Sequence, residues 1–300
     1  MNQNQFSAFI TIVGRPNVGK SSLLNRFVGE KVAIVSPKPQ TTRTRITGVL
    51  TEGETQFVFI DTPGLHNPKT KLSEFMVKQI KDSVADVDVA VLVTEPLGKI
   101  HQTELDLLQR FRDLRLPAIL AINKIDTVAK KDLMMEKIAA FSQLFDFEAV
   151  VPVSAMTGDG AEELLEEIGE YAAEGPHYFP DDAMTDQPER VIVAEIIREK
   201  LLNNLSDEIP HGTAVTVEQM IEREDKNIID IHAVIYCEKD SHKGIIIGKQ
   251  GAMLKKVASQ ARREIESFLD IKINLQCWVK VKEDWRNRIG VIRDLGFQDN

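Results

Sequence analysis

The chain has 300 residues, 43% of them hydrophobic and 28% charged, with two cysteines and a formal net charge of -9. That length suits two domains of ordinary size; the longest apolar runs, such as "VAVLV" at 89–93, fall far short of a membrane span, and "MNQNQFSAF" lacks the basic and apolar regions of a signal peptide. The net charge argues against a nucleic-acid partner, but its distribution reverses that inference: residues 241–293 hold 12 Lys or Arg against 5 Asp or Glu, and the first 240 hold 25 against 39.

In chain order, "FITIV" reads as a buried strand, and it runs into "GRPNVGKS" at 14–21. The pattern G-x-x-x-x-G-K-[ST] between a strand and a helix is a phosphate cradle: glycines let backbone N–H groups approach an anion, a lysine adds positive charge, and the helix N-terminus adds its dipole. Gly14, Asn17, Val18, Gly19, Lys20, Ser21 and Ser22 are therefore the candidate phosphate-binding residues, with Ser21 also a candidate Mg²⁺ ligand. The next candidate is "PQTTRTR" at 39–45, a loop able to place a threonine on Mg²⁺ only while a γ-phosphate is present; Thr42 is the preferred residue and Thr41 its near rival.

"TQFVFI" forms a second strand and ends in "DTPG", which puts Asp61 at a strand end where a carboxylate can hold Mg²⁺ through water and lets Gly64 offer its N–H to a γ-phosphate. "DVAVLV" and "PAILAIN" are further strands. After the latter, in "NKID", Asp126 has two acceptor oxygens for the N1–H and N2–H₂ of guanine, with Asn123 and Lys124 supporting base and loop. A helical stretch at 130–144 and the strand "EAVVPVS" follow, the latter opening into "SAMTGDG", where Ser154, Ala155 and Met156 bring backbone N–H groups, chiefly that of Ala155, towards guanine O6. Taken singly, each of these stretches is a common turn, cap or Gly-rich loop; four in this order, each after its own strand, select a GTP site and disfavour an ATP-dependent kinase, in which "NKID" has no role.

The alternation of strands and helices predicts an α/β domain with a mostly parallel sheet and helices on both faces over residues 1–175. "AEGPHYFPDDAMTDQPER", with three prolines, breaks the pattern, and residues 176–189 are expected to be a linker. Residues 190–300 change character to α+β: a helix at 191–204, strands at 213–224, 227–238 and 271–282, and helical segments around "GKQG" at 248–251. Two glycines flanking polar residues let a nucleic-acid backbone pack against such a turn. Gly248, Lys249, Gln250, Gly251, Lys255 and Lys256 are the candidate RNA-binding residues. In the helix that follows, Leu254, Val257, Ala258, Ala261, Ile265 and Phe268 share one face, the expected core side, while Lys255, Lys256, Arg262 and Arg263 lie off it. In the last strand Ile271, Ile273, Leu275 and Cys277 should point inward and Lys272, Lys280 and Lys282 outward; Trp278 and Trp285 are expected to pack between it and the final helix. Cys237 and Cys277 read as reduced core thiols.

"GRPNVGKS", "QTTR", "DTPG", "NKID", "SAM" and "GIIIGKQGAMLKKV" together resemble the Era family of bacterial ribosome-associated GTPases over essentially the whole chain. The resemblance implies a P-loop GTPase domain followed by a type II KH domain, GTP hydrolysis with Mg²⁺, and binding of the single-stranded 3′ end of small-subunit ribosomal RNA during 30S assembly in the cytoplasm. Lys20, Asn17, Thr42 and Gly64 would then serve catalysis. Leu65 stands where Ras-like enzymes carry the glutamine that orients water, and relatives with Asn at the position of Asn17 use a K⁺ ion instead of an arginine finger. Peripheral attachment to the inner face of the membrane is a further property associated with this family.

Overall fold

The structure is a computed structural model that describes residues 5–38, 40–64, 70–84, 86–128, 131–223 and 227–297. Leu65, Pro39 and the start of the 130–144 helix lie outside them. The chain divides into two compact units: Met1–Ala33, Thr42–Asn67 and Phe75–Asp186 form the first, and Ile34–Thr41, Pro68–Glu74 and Gln187–Asn300 the second.

The first unit opens with β1 (Phe6–Val13), α1 (Lys20–Val28), β2 (Ile46–Glu52), β3 (Thr55–Asp61), α2 (Lys71–Ser83, of which it holds the part from Phe75 on) and β4 (Val89–Thr94). It continues with α3 (Gln102–Leu114), β5 (Ala118–Ile122), α4 (Lys131–Ser142), β6 (Ala149–Pro152), α5 (Ala161–Gly169) and β7 (Ala173–Glu174). The sheet order is β2-β3-β1-β4-β5-β6, parallel from β3 through β6. Period-two alternation divides each strand between two cores. Ile10, Ile12, Val91 and Val93 pack with Leu23, Phe27 and Ile168 on one face. Val13, Ala90 and Leu92 pack with Ile80, Leu108 and Phe111 on the other. The strand ends carrying the predicted motifs thus share one edge of the sheet, as the parallel order requires.

The sequence reading treats the strands as separated by helices, and the structure adds a hairpin it lacks. β2 pairs antiparallel with β3, turning at Gly53, whose φ of 60° suits glycine. Beyond α5 the chain remains with the first unit: β7 pairs with β1, Gln56 Oε1 accepts the N–H groups of Tyr178 and Phe179, and the Thr185 hydroxyl donates to the Thr47 carbonyl.

The second unit contains α6 (Glu189–Asn204), β8 (Ala214–Glu222), β9 (Ile228–Cys237), α7 (Asp240–Ile247), α8 (Ala252–Leu269), β10 (Lys272–Val281) and α9 (Ile289–Asp294). β9 is central, antiparallel to β8 and parallel to β10. Val257, Ala261 and Ile265 of α8 are fully buried, with Leu254 and Phe268 packed beside them, and Lys255, Lys256, Arg262 and Arg263 are exposed. Trp285 is fully buried, donates its indole N–H to the Gly212 carbonyl and stacks on Phe297. Trp278 departs from expectation: it is 44% exposed, edge-on to His232. The alternation of β10 puts it on the face opposite Cys277, with Lys280 rather than with the core. Both cysteines are free, and burial raises both thiols, that of Cys277 to about 12. Among the described residues no helix is long and apolar enough to cross a membrane.

Candidate functional site

The turn from β1 into α1 is possible only because two of its residues lack side chains. Gly14 has φ 149°, and a Cβ there would lie 2.3 Å from the Val93 carbonyl oxygen. Gly19 has φ 99°, and a Cβ there would lie 2.1 Å from Asn123 Nδ2. Asn17 is also left-handed at φ 65°. Lys20 is buried, with its ammonium donating to the carbonyls of Gly14 at 3.2 Å and Arg15 at 3.0 Å, so the loop is wrapped around its own cation.

Ser21, at the first turn of α1, donates to Asp61 Oδ2 at 2.5 Å and lies 2.9 Å from Thr42 Oγ1. Of the two switch-loop threonines, Thr42 is therefore the one beside Ser21; the Thr41 hydroxyl instead donates to the Lys38 carbonyl at 2.6 Å. Asp61 is fully buried, and its Oδ1 accepts no hydrogen bond among the described residues. Burial pushes this carboxyl up to about 6 against the pull of Lys20 and the Ser21 hydroxyl, and burial also brings Lys20 down to about 8 against Asp61. Each charge is held out of water short of a full set of partners. An anion beside Lys20 and a cation beside Asp61 would supply what both lack, and Ser21, Thr42 and Asp61 form an all-oxygen set that suits Mg²⁺. Gly64 lies against the same loop: a Cβ there would fall 2.6 Å from Pro16 Cα.

The other motifs meet at Asn123. Its Nδ2 donates to the Val18 carbonyl at 2.8 Å and its Oδ1 accepts the Ala155 N–H at 2.9 Å, so one amide spans three loops. The N–H assigned from sequence to guanine O6 is thus already engaged, and a purine would share it. Lys124, at φ 68°, donates to the Asn17 carbonyl at 2.6 Å and to Glu95 at 2.5 Å. The Asp126 side chain is exposed and receives the Ser154 hydroxyl at 2.6 Å. Three supports escape the motif patterns. Arg26 donates to the carbonyls of Ala155 and Met156, Glu95 pairs with Lys124, and the fully buried Glu104 receives Arg15 and Thr94. Each lies outside the motifs in sequence, Arg26 and Glu104 in helices and Glu95 just after β4, and a lone charged residue there carries no pattern that sets it apart from a solvated one.

In the second unit, Gly248, Gln250 and Gly251 have φ of 74°, 52° and 77°, three positive-φ residues between α7 and α8, of which Gly248, at ψ 174°, lies in a region open almost only to glycine. A Cβ on Gly248 would meet Met253 Cβ at 2.7 Å, while one on Gly251 would face open space. Lys249, Gln250, Lys255 and Lys256 are all exposed around this turn. They lie in the second unit, far along the chain from the nucleotide motifs, and are grouped around this one turn.

Residues 9–124 match the family described as 50S ribosome-binding GTPase, and residues 208–286 match the KH domain. The GTPase Era of Clostridioides difficile (strain 630) is 51% identical over 98% of this chain and 99% of its own length. That of Ruminiclostridium cellulolyticum is 50% identical over 98% of each. Two solved structures each cover 98% of this chain and all of their own at 36% identity. One is a single-residue variant of Aquifex aeolicus Era bound to GDP·AlF₄⁻, with TM-score 0.94, and the other is Era in complex with MgGDPNP and nucleotides 1506–1542 of 16S ribosomal RNA, with TM-score 0.92.

Proposed function

The chain belongs to the Era family of GTPases, and from that premise we propose that it is a Mg²⁺-dependent GTP switch whose KH domain holds the single-stranded 3′ end of small-subunit ribosomal RNA during 30S assembly in the cytoplasm. The observation that carries the nucleotide half is the convergence of Lys20, Ser21, Thr42 and Asp61 in one buried cluster whose charges lack a full set of partners. Lys20 and the backbone N–H groups of Gly14 and of residues 17–22 hold phosphates, and Ser21, Thr42 and Asp61 hold Mg²⁺, which when bound neutralises charge developing on the phosphate oxygens. Thr42 and Gly64 report the γ-phosphate. Asn123, Lys124 and Asp126 select guanine, with Ser154, Ala155 and Met156 closing over the base.

Residues 1–175 are the nucleotide module in this reading, 176–189 its exit and 190–300 the RNA module. The resemblance to relatives supports a K⁺ site involving Asn17; it requires faster hydrolysis in K⁺ than in Na⁺ buffer, a difference that Asn17→Ala removes. Gly248 to Gly251, with Lys255 and Lys256, hold the RNA backbone. The test is equilibrium titration of the full chain with GDP, a GTP analogue and ATP, and with a 3′-terminal 16S fragment and its scrambled sequence. Guanine preference with selective binding of the 3′-terminal RNA is expected. Equal affinity for ATP would refute the nucleotide assignment, and equal affinity for the scrambled RNA would refute the ribosomal one.

A further inference from the structure

Helix α6 carries two charged residues that are almost completely buried: Arg198 is 1% exposed and Glu199 3%. Each has a charged partner of its own, Glu195 for Arg198 and Lys200 for Glu199, and a buried pair of this kind is weak evidence for a stabilising role. Both reach the same segment, Ile34–Thr41, which lies with α6 inside the second unit. Arg198 is oriented from its own helix by Glu195, at 2.7 Å through Nε and 2.5 Å through Nη2, and that same Nη2 donates to the Thr41 carbonyl. Glu199 Oε1 accepts the Val35 N–H at 3.0 Å, Asn203 Oδ1 accepts the Ser36 hydroxyl at 2.9 Å, and the Lys38 ammonium donates to the Leu205 carbonyl. Gln40, between the last two anchor points, is left-handed at φ 59°, a conformation that a non-glycine residue keeps when its surroundings enforce it.

The residue after Thr41 is Thr42, whose hydroxyl lies 2.9 Å from Ser21. A guanidinium bonded to the Thr41 carbonyl fixes the peptide plane that leads into Thr42, and so restricts where its hydroxyl can lie. We propose that Arg198 is a positioning residue for GTP hydrolysis, acting through the Thr41 carbonyl to set Thr42 beside Ser21 and Asp61, with Glu199 and Asn203 securing the residues ahead of it. The inference rests on the assignment of Thr42 to the γ-phosphate and Mg²⁺ site.

The experiment measures steady-state GTP hydrolysis and GDP affinity for the full chain and for Arg198→Met, Arg198→Lys, Asn203→Ala and Thr42→Ala. Arg198→Met keeps the aliphatic stem and removes the donor. It should lower kcat about tenfold with KM within threefold and GDP affinity within twofold, and Arg198→Lys, which can still donate, should recover most of the loss. Asn203 is exposed, so its replacement leaves the core intact, and the expected effect is a two- to threefold fall in kcat. Unchanged kcat in a folded Arg198→Met protein, or a loss of GDP affinity as large as the loss of kcat, overturns the proposal. If Arg198→Met does not fold, Asn203→Ala decides by the same criterion. Normal hydrolysis by Thr42→Ala would bring down the site assignment together with this inference, whereas an impaired Thr42→Ala beside an intact Arg198→Met overturns the inference alone.

Discussion

In the proposed site Asp126 would select the base with its two carboxylate oxygens, and a donor in place of one of them would reverse the preference. Asp126→Asn should weaken GTP binding by about a hundredfold, the equivalent of one or two charged hydrogen bonds, and bring xanthosine triphosphate into the range GTP has lost, measured by competition against a fluorescent nucleotide. A second expectation follows from Asp61 and Lys20. In the free protein the Asp61 carboxyl titrates at about 6, above its ordinary 3.8, so its contribution to folding is complete below about pH 4 and is lost as pH rises through about 6. Mg²⁺ takes the ionised form. Affinity for the Mg²⁺–nucleotide complex should therefore fall roughly tenfold for each pH unit below about 6, and, because phosphate takes the ionised form of Lys20, should fall again above about 8. Calorimetric titration from pH 5 to 9 should trace a plateau between those limits, and a flat profile would be inconsistent with the incompletely partnered charges at this site. At this scale the reactive residues were legible, since each sits at a fixed offset from a strand end. Their supports, Arg26, Glu95 and Glu104, were not, because what marks them is proximity in space.

Among the elements, the turn at 248–251 shows how two glycines of one motif differ. Gly248 is needed both for space, since a Cβ collides with Met253, and for its backbone conformation, whereas Gly251 is needed for its left-handed backbone alone, in open surroundings. Gly248→Asp should lower the thermal midpoint of the second unit along with RNA binding. Gly251→Asp should reduce RNA affinity at least tenfold by placing a carboxylate where phosphate would lie, with a cost in stability of about 1 kcal/mol from the backbone conformation. RNA titration beside thermal unfolding separates the two, and full RNA affinity in Gly251→Asp would remove this turn from the interface. The order of elements in the second half was readable from period alone, as was the parallel sheet of the first. The β2–β3 hairpin and Trp278 were not. β2 is buried at four consecutive residues, Ile46 to Val49, so it has no alternation to read, and whether a strand's second face is covered depends on what packs there.

For the molecule as a whole, charge is divided unevenly: an acidic chain carries a basic segment between 241 and 293. If Lys249, Lys255 and Lys256 meet phosphates, about three counterions are released, and the logarithm of RNA affinity should fall with the logarithm of salt concentration with a slope of about -2. Replacing Lys255 and Lys256 with Gln should reduce the slope to about -0.7 without altering GDP affinity, and an unchanged slope would place the contacts elsewhere. The sequence by itself determined the fold class of both halves, the GTPase character of the first and the turn between the two helices at 248–251, because these depend on local periodicity and on motifs whose parts lie within eight residues of one another. Only the tertiary structure decided between Thr41 and Thr42 as the neighbour of Ser21, gave Asn123 its three-loop role and brought Arg198 to the Thr41 carbonyl. Those relations join residues 20 to more than 150 positions apart, and side-chain geometry across such separations is fixed by packing, which leaves no local trace in the sequence.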